Sequence, residues 1–161
     1  MKQERTLFRG KRLGGGQWVQ GGIAPAYHCA GEPDAPEEEA RGYSIIQDGR
    51  AYAVAQDSIG QCTGMNDKNG ALLFEGDLVR SDSPGGVHLG RIRFGLHAAN
   101  QTQERVSLGF YVEWADDEFL RQELGFWRGK IQQVQPWADD PSLWDSWCEQ
   151  GARAARIRED M

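Results

Sequence analysis

Residues 58–79 read SIGQCTGMNDKNGALLFEGDLV, and this stretch decides the fold of the chain. Two short apolar runs flank a polar turn at residues 67–70, where Asn and Gly tolerate the left-handed backbone that tight turns need. The chain then meets a Glu-Gly-Asp corner at residues 75–77, where a glycine permits a backbone conformation that a Cβ would obstruct. Short apolar runs separated by tight turns are typical of a small β-domain.

The composition of the whole chain also indicates a β-rich protein. The 161 residues suffice for one ordinary domain or for two small ones that share a core. The 21 glycines are nearly twice the usual share of about 7% and indicate many turns. No run approaches the roughly 18 apolar residues of a membrane helix, and the N-terminus has no apolar leader. We therefore expect a cytoplasmic protein that does not enter a membrane.

Charge and cysteine content narrow the function classes. The net charge of −6 disfavours nucleic acid as a partner, because nucleic-acid-binding domains usually carry an excess of basic residues. The three cysteines, Cys29, Cys62 and Cys148, are widely spaced and form no Cys-x-x-Cys pair. This spacing predicts free thiols in a reducing compartment.

Further elements are predicted on both sides of the opening stretch. Residues 5–23 predict one hairpin, and residues 43–54 predict a second around Asp48-Gly49, a type I′ turn signal. Residues 30–42 are rich in Pro, Gly, Ala and Glu and predict a mobile loop. The patterns after the opening stretch predict a loop at 81–86, a strand at 87–94, a loop at 97–105, a strand at 106–114, a helix at 116–124 capped by Asp116, and a strand at 130–135.

The clearest helix signal lies at the C-terminus. Asp140 is a good helix cap, and Pro141 suits the first helical position. Trp144 and Trp147 recur at helical spacing. This tryptophan stripe has two interpretations: it packs in the core, which is the commoner role, or it anchors a partner.

Two segments resemble the YopX family of phage and prophage proteins. FRGKR at residues 8–12, followed by QWVQG at residues 17–21, is similar to the N-terminal hairpin of that family, and residues 59–79 are similar to its central stretch. The resemblance implies a phage or prophage accessory protein of the bacterial cytoplasm, and it supplies no catalytic residues. The motif positions that we single out are Trp18, Gly60, Gln61, Thr63, Gly64, Asp67, Gly70, Glu75, Gly76 and Asp77.

The patterns and the resemblance together predict a mainly β fold with a minor helical part. The resemblance implies a compact YopX-like arrangement of small barrel-like β subdomains. We expect N-terminal hairpins with an acidic loop at residues 1–57, a barrel-like core at 58–137 and a C-terminal helix at 138–161. These three segments are predicted to form one compact unit.

Three acids in the opening stretch are the candidates for catalysis or metal binding. Asp67, Glu75 and Asp77 can perform acid–base chemistry or hold Mg²⁺ if they are gathered together. Each of them lies at a turn, however, where capping of backbone N–H groups already explains an acid. We therefore interpret them as structural and expect no catalytic site, metal or cofactor.

Three arginines are the candidates for anion binding. Arg91 and Arg93 share one face of the strand predicted at residues 87–94, and Arg80 is near in sequence. Guanidinium groups suit phosphate and carboxylate ligands. These residues therefore predict either a small anion or partner site, or simply an exposed strand face.

Two functions of different class follow from these features. The first is a non-enzymatic binding or regulatory protein that contacts host or defence proteins and forms a homo-oligomer through edge strands and the Trp-bearing tail. Six tryptophans support it, because Trp is common among interface anchors. The second is a small-molecule binder that sequesters a nucleotide signal. A metal-dependent hydrolase is a more distant alternative.

Overall fold

The computed structural model describes residues 6–25, 42–84, 86–98, 105–116 and 121–159. The chain divides into two compact units, Met1–Cys62 and Thr63–Met161. The described parts are mainly antiparallel β, which confirms the predicted fold class. The loop predicted at residues 30–42 lies outside the described residues except for Gly42.

The first unit is a set of hairpins. Its strands pair in the order β4-β3-β2-β1-β5. They are β1 (Phe8–Lys11), β2 (Trp18–Pro25), β3 (Tyr43–Gln47), β4 (Arg50–Val54) and β5 (Gly60–Asn66), of which β5 continues into the second unit. Both predicted hairpins are confirmed. Asp48 and Gly49 have φ values of 51° and 77°, as a type I′ turn requires.

The core of the first unit is small. Val19, Ile45 and Val54 are its buried members, at 5%, 0% and 2% exposure. Alternate residues of an antiparallel strand point to opposite faces, so each strand contributes few side chains to this core. Four partly buried side chains complete it: Phe8, Ile23, Tyr52 and Ile59.

The second unit contains a four-stranded antiparallel sheet in the order β10-β7-β8-β9. The four strands of this sheet are β7 (Asp77–Ser83), β8 (Gly86–Ala98), β9 (Val106–Trp114) and β10 (Ile131–Pro136), and the unit also contains β6 (Leu72–Phe74), which pairs with β5. Its helices in the described residues are α1 (Leu124–Trp127) and α2 (Pro141–Glu159). Neither helix combines the length and the hydrophobicity needed to cross a bilayer.

Both faces of the four-stranded sheet are partly covered. On one face, Val79, Ile92 and Val112 belong to a buried cluster that also includes Leu73, Trp114, Leu124, Trp127 and Ile131. On the other face, Leu78 packs against Trp144 and Trp147 of α2. Helix α2 begins at Pro141, directly after Asp140, as the sequence predicts.

Two predicted loops are partly strand. β7 runs to Ser83 and β8 begins at Gly86, so most of the loop predicted at 81–86 is wrong. β8 also continues to Ala98, two residues into the loop predicted at 97–105. Ladder pairing explains both errors, because a neighbouring strand satisfies the backbone of residues with low β-propensity, as in the pairs Ser81↔His88 and Asp82↔Val87.

The helix predicted at residues 116–124 is not formed at residues 121–123, and residues 117–120 lie outside the described residues. Gln122 and Glu123 are not helical, and α1 begins only at Leu124. The Gln122 carbonyl accepts the Val112 N–H at 2.7 Å, and the Arg121 carbonyl accepts the indole N–H of Trp114 at 3.1 Å. Tertiary contacts therefore occupy carbonyls that a helix would use.

Candidate functional site

Asp67 is held by backbone N–H groups. Its Oδ1 accepts from Asn69 and Ala71 at 2.8 and 2.9 Å, and its Oδ2 accepts from the Gln133 N–H at 2.8 Å. Burial acts to raise the pKa of this carboxyl, but the backbone hydrogen bonds, that from Gln133 first, outweigh burial and lower the pKa below its ordinary value. Asp67 thus fixes the turn at residues 67–70 and ties it to β10.

Asp77 plays a similar part at the next corner. It is fully buried, and its Oδ2 accepts from the Phe74 N–H at 2.8 Å and from Nε2 of Gln133 at 2.9 Å. Gln133 therefore joins the two acids, through its backbone to Asp67 and through its side chain to Asp77. The pairing register of β10 with β7 shifts between Gln133 and Gln135, which marks a β-bulge.

Gly76 supports the same corner through its backbone. Its φ of +87° lies in the left-handed region that favours glycine. Its N–H donates to the Ile92 carbonyl and its carbonyl accepts the Trp137 N–H, both at 2.8 Å. Glu75 is half-buried and acts electrostatically on Arg91. The Glu-Gly-Asp corner is therefore fixed to the strands around it.

The other motif positions are structural as well. Thr63 is buried and donates through Oγ1 to the Leu73 carbonyl at 2.9 Å. Gly64 and Gly70 have φ values of +71° and +86°. In the first unit, Gly60 and Gln61 pair with Arg9 and Phe8 of β1, and the Arg9 guanidinium lies 4.9 Å from the ring centre of Trp18.

The two aspartates among these positions are engaged by N–H donors of the fold. Within the residues that the structure describes, no three His, Cys, Asp or Glu side chains are grouped so that they could hold a metal ion. The oxygens of Asp67 and the Oδ2 of Asp77 face N–H donors, and a cation needs oxygen lone pairs that face it. The chemistry of this set is that of turn formation.

The three candidate arginines do not form a common anion site. Arg80 Nε donates to Asp82 Oδ1 at 2.8 Å, and Arg93 Nη1 lies 3.5 Å from Glu113 Oε2. Arg91 stacks on Trp137, with its guanidinium carbon 4.2 Å from the ring centre. Burial first, and the nearby Arg93 second, lower the pKa of Arg91, while Glu113 and Glu75 act in the opposite direction. Nearby acids thus offset the positive charge of this face.

The tryptophan stripe of α2 belongs to the core, which corrects its alternative interpretation as a partner anchor. Trp144 and Trp147 are each 9% exposed and pack against Leu78, with ring centres 6.5 Å apart. Helical spacing places both rings on the side of α2 that meets the sheet. The neighbouring Cys148 has its pKa raised by burial and then by Glu113 and Asp145, which disfavours the reactive thiolate.

A row of polar residues crosses the sheet at the end opposite the Glu-Gly-Asp corner. Ser81 lies directly opposite His88 in the ladder, and His88 Nδ1 is 2.9 Å from Asp116 Oδ2. Ser, His and Asp are the residue types of a catalytic triad. Ser81 is only 2% exposed, however, so a substrate cannot reach its hydroxyl. We interpret the row as structural.

The most exposed apolar surface of the second unit lies on one ribbon. We call residues 94–98 of β8 and 106–110 of β9 the arm. Phe94 pairs with Phe110, Leu96 with Leu108 and Ala98 with Val106, and directly paired residues share a face. We call the face formed by these six side chains the apolar face of the arm. Exposed fractions on it are 49% for Phe94, 71% for Leu96, 65% for Val106 and 69% for Leu108.

The opposite face of the arm is polar, and its His97 is covered while its Ser107 is exposed. It carries the pair Gly95↔Gly109, and the ring of His97 stacks on Tyr111 with centres 5.1 Å apart and planes at 19°. His97 is buried at 7% exposure, in contrast to Leu96 beside it. The arm is therefore strongly amphipathic, and its apolar face continues the sheet face that carries Ile92 and Val112.

The arm is also bent. Gln122 accepts the Val112 N–H through its backbone carbonyl and the Ala98 N–H through Oε1, at 2.7 and 3.3 Å. Val112 pairs with Ile92 in the ladder. In a straight strand, Ile92 and Ala98 would be about 20 Å apart. The backbone carbonyl and the side chain of one glutamine could not contact both ends of such a strand. The ribbon must therefore curve. Because the rings of His97 and Tyr111 stack, the face that carries them lies on the inner side of the curve.

Sequence reasoning missed both Gln133 and the arm. Gln133 has no local signal, because its partners lie far away in the sequence. The arm does have one: Phe94, Leu96 and Ala98 alternate with other residues, as do Val106, Leu108 and Phe110. The alternation at Phe94, Leu96 and Ala98 was not recognised because residues 97–105 were predicted to form a polar loop.

Comparisons of this chain with protein-family models, with curated proteins and with solved structures find no match.

Proposed function

We propose that this chain is a non-enzymatic binding protein that acts through protein–protein contacts, and that the apolar face of the arm is its contact surface. The observation that carries the proposal is the exposure of Phe94, Leu96, Val106 and Leu108 on one continuous face. With the exposed parts of Phe110 and Ala98, this face amounts to on the order of 500 Å². Apolar patches of this size on soluble proteins are often functional.

The state of the acids supports a role without turnover. Asp67 and Asp77 use their carboxylates to bind backbone N–H groups and Gln133. An acid that fixes a turn in this way has its oxygens directed at the fold and not at a substrate. The fixed geometry of such corners is what a scaffold needs, and the scaffold in turn presents the arm.

The resemblance to the YopX family supports a phage or prophage origin and a host or defence protein as the partner. The residues that carry this resemblance lie at 8–79 and include the turns that Asp67 and Asp77 fix. The arm lies outside them, at residues 94–98 and 106–110. We therefore propose that the resembling part is the scaffold and that the arm determines the partner. The site of action in this proposal is the bacterial cytoplasm.

The two alternative functions receive less support from the geometry. A nucleotide-sequestering role would use Arg80, Arg91 and Arg93, and their charge is offset by Asp82, Glu113 and Glu75. A metal-dependent hydrolase would need a ligand cluster, and the described residues hold none. Neither alternative has a specific observation in its favour.

Affinity capture from bacterial lysate tests the proposed function. The bait is the full chain, as wild type or as Leu108→Lys, which places a charge at the centre of the apolar face. The matched control is Val134→Lys, because Val134 is a 44% exposed apolar residue on β10, outside the arm. We expect proteins that wild type and Val134→Lys retain and that Leu108→Lys releases. Identical capture by all three baits would contradict the proposal.

A further inference from the structure

We infer that the apolar face of the arm binds a second copy of this chain, in a two-fold symmetric dimer. This inference rests on the proposed function, because it uses the same surface, and it adds a second copy of this chain to the partners of that surface. A symmetric dimer uses one patch on both subunits, so the patch must be complementary to itself. The chemistry, the area and the shape of the arm each bear on that requirement.

The chemistry of the face is uniform. All six side chains on it are apolar, and the polar side chains of the arm, His97 and Ser107, occur on the opposite face. A face without charge offers no electrostatic selection for a partner of opposite sign. It also creates no repulsion between two identical copies. An uncharged apolar patch is therefore complementary to itself.

The area is sufficient for a weak dimer. Two faces of about 500 Å² each bury on the order of 1,000 Å² in total, which is near the lower limit for specific interfaces. Interfaces of this size are often concentration-dependent, with dissociation constants on the order of micromolar. The dimer should thus form and dissociate within an ordinary range of protein concentration.

The shape of the arm is set before association. Gln122 contacts both Val112 and Ala98, and the His97–Tyr111 stack fills the inner side of the bend. The Phe94 and Phe110 rings meet edge to face, with centres 5.1 Å apart. A surface that is already ordered loses little entropy on binding. Leu96 and Leu108 lie between the Phe pair and the Ala98–Val106 pair, where the centre of the interface would form.

Sedimentation equilibrium of the full chain tests the inference. At concentrations from about 10 to about 500 µM, we expect the average mass of wild type to rise from 18.0 kDa toward twice that value. Leu96→Lys and Leu108→Lys should each weaken dimerisation by about tenfold or more, as charges at the centre of an interface do. Leu108→Met should retain most of it, and Val134→Lys should match wild type.

The possible outcomes separate this inference from the proposed function. A wild type that stays at 18.0 kDa at every concentration overturns the dimer. A wild-type dimer that both lysine variants preserve also overturns it, because the contact must then lie elsewhere. Circular dichroism and urea unfolding show whether each variant is folded; if a lysine variant unfolds, Leu108→Ser replaces it. Monomeric protein with arm-dependent capture from lysate would leave the proposed function in place and reject only the dimer.

Discussion

At the scale of single residues, one glutamine joins the two acids that shape the central motif. Gln133 donates its backbone N–H to Asp67 and its side-chain amide to Asp77. Each acid also accepts backbone N–H groups of its own turn. Buried acceptors of this kind are costly to remove, because the donors left behind cannot return to water.

Substitution of Asp67 should destabilise the protein in a pH-dependent manner. Asp67→Asn replaces one acceptor oxygen by an NH₂ group that faces N–H donors, so we expect a loss of about 1–3 kcal/mol at neutral pH. The folded-state pKa of Asp67 is lowered from 3.8, so its contribution is fully present above that value. The contribution is lost as the pH falls through the lowered folded-state pKa.

Urea unfolding of wild type and Asp67→Asn at a series of pH values measures this effect. The difference in the free energy of unfolding should stay constant above about pH 4 and shrink in more acidic solution. Asp145→Asn is the control, because Asp145 is an exposed acid on α2. A difference that does not change with pH would contradict the role given to the Asp67 carboxylate.

Two substitutions at Gln133 should differ in how much they lower the free energy of unfolding. Gln133→Ala removes one hydrogen bond to Asp77 and should cost about 1–2 kcal/mol. Gln133→Glu places a second carboxylate against a fully buried one and should cost about 3 kcal/mol or more at neutral pH. Chemical denaturation of the two variants side by side measures the difference. Equal losses would show that the Gln133–Asp77 contact is not formed.

At the scale of elements, helix α2 packs closely on the end of β9. A Cβ on Gly151 would overlap the Ala115 carbonyl and the Asp116 Cα, so the helix is near the sheet because this position has no side chain. Trp144 and Trp147 pack on Leu78 one to two turns earlier in the helix. Gly151 and the two tryptophans thus set the position of α2 together.

Gly151→Ala should therefore destabilise the protein, although a change from glycine to alanine usually stabilises a helix. In a helix interior, alanine is normally more favourable than glycine by about 1 kcal/mol. Here we expect a loss of about 1–3 kcal/mol, because the backbone of residues 115 and 116 must move. Glu149→Ala, at an exposed position of the same helix, should be nearly neutral. Thermal unfolding of both variants decides the sign, and a stabilised Gly151→Ala would contradict the close packing.

The sequence predicts those elements whose signals are local. Asp48-Gly49 specifies its own turn, and Asp140 with Pro141 specifies the start of α2, because each signal acts within a few residues. The strand at residues 81–83 and the non-helical segment at 121–123 could not be predicted in this way. They exist because β8 and β9 supply hydrogen bonds from afar. The link from Gln133 to Asp67 and Asp77 is of the same kind.

The candidate site was partly accessible to sequence reasoning. Turn geometry predicts a structural role for Asp67 and Asp77, and the structure agrees with it. The arginine patch was less predictable, since the partners of Arg80 and Arg93 depend on side-chain conformation and strand register. The apolar face of the arm required knowledge that β8 and β9 pair as far as Ala98 and Val106.

At the scale of the whole molecule, the second unit combines a fixed scaffold with an exposed ribbon. The Glu-Gly-Asp corner, the bulge of β10 and helix α2 all contribute to the scaffold through buried contacts. The apolar face of the arm carries the most exposed large apolar side chains described in this unit. The central claim is that this face is where the protein meets a second copy of itself.

Amide hydrogen exchange at two protein concentrations, about 10 and about 500 µM, tests that claim most directly. The account predicts that exchange at the higher concentration slows at residues 94–98 and 106–110, and that α2 and β10 exchange equally at both concentrations. Leu108→Lys should abolish the difference, and Val134→Lys should preserve it. Unchanged exchange in the arm, or slowing confined to α2 or β10, would contradict the account.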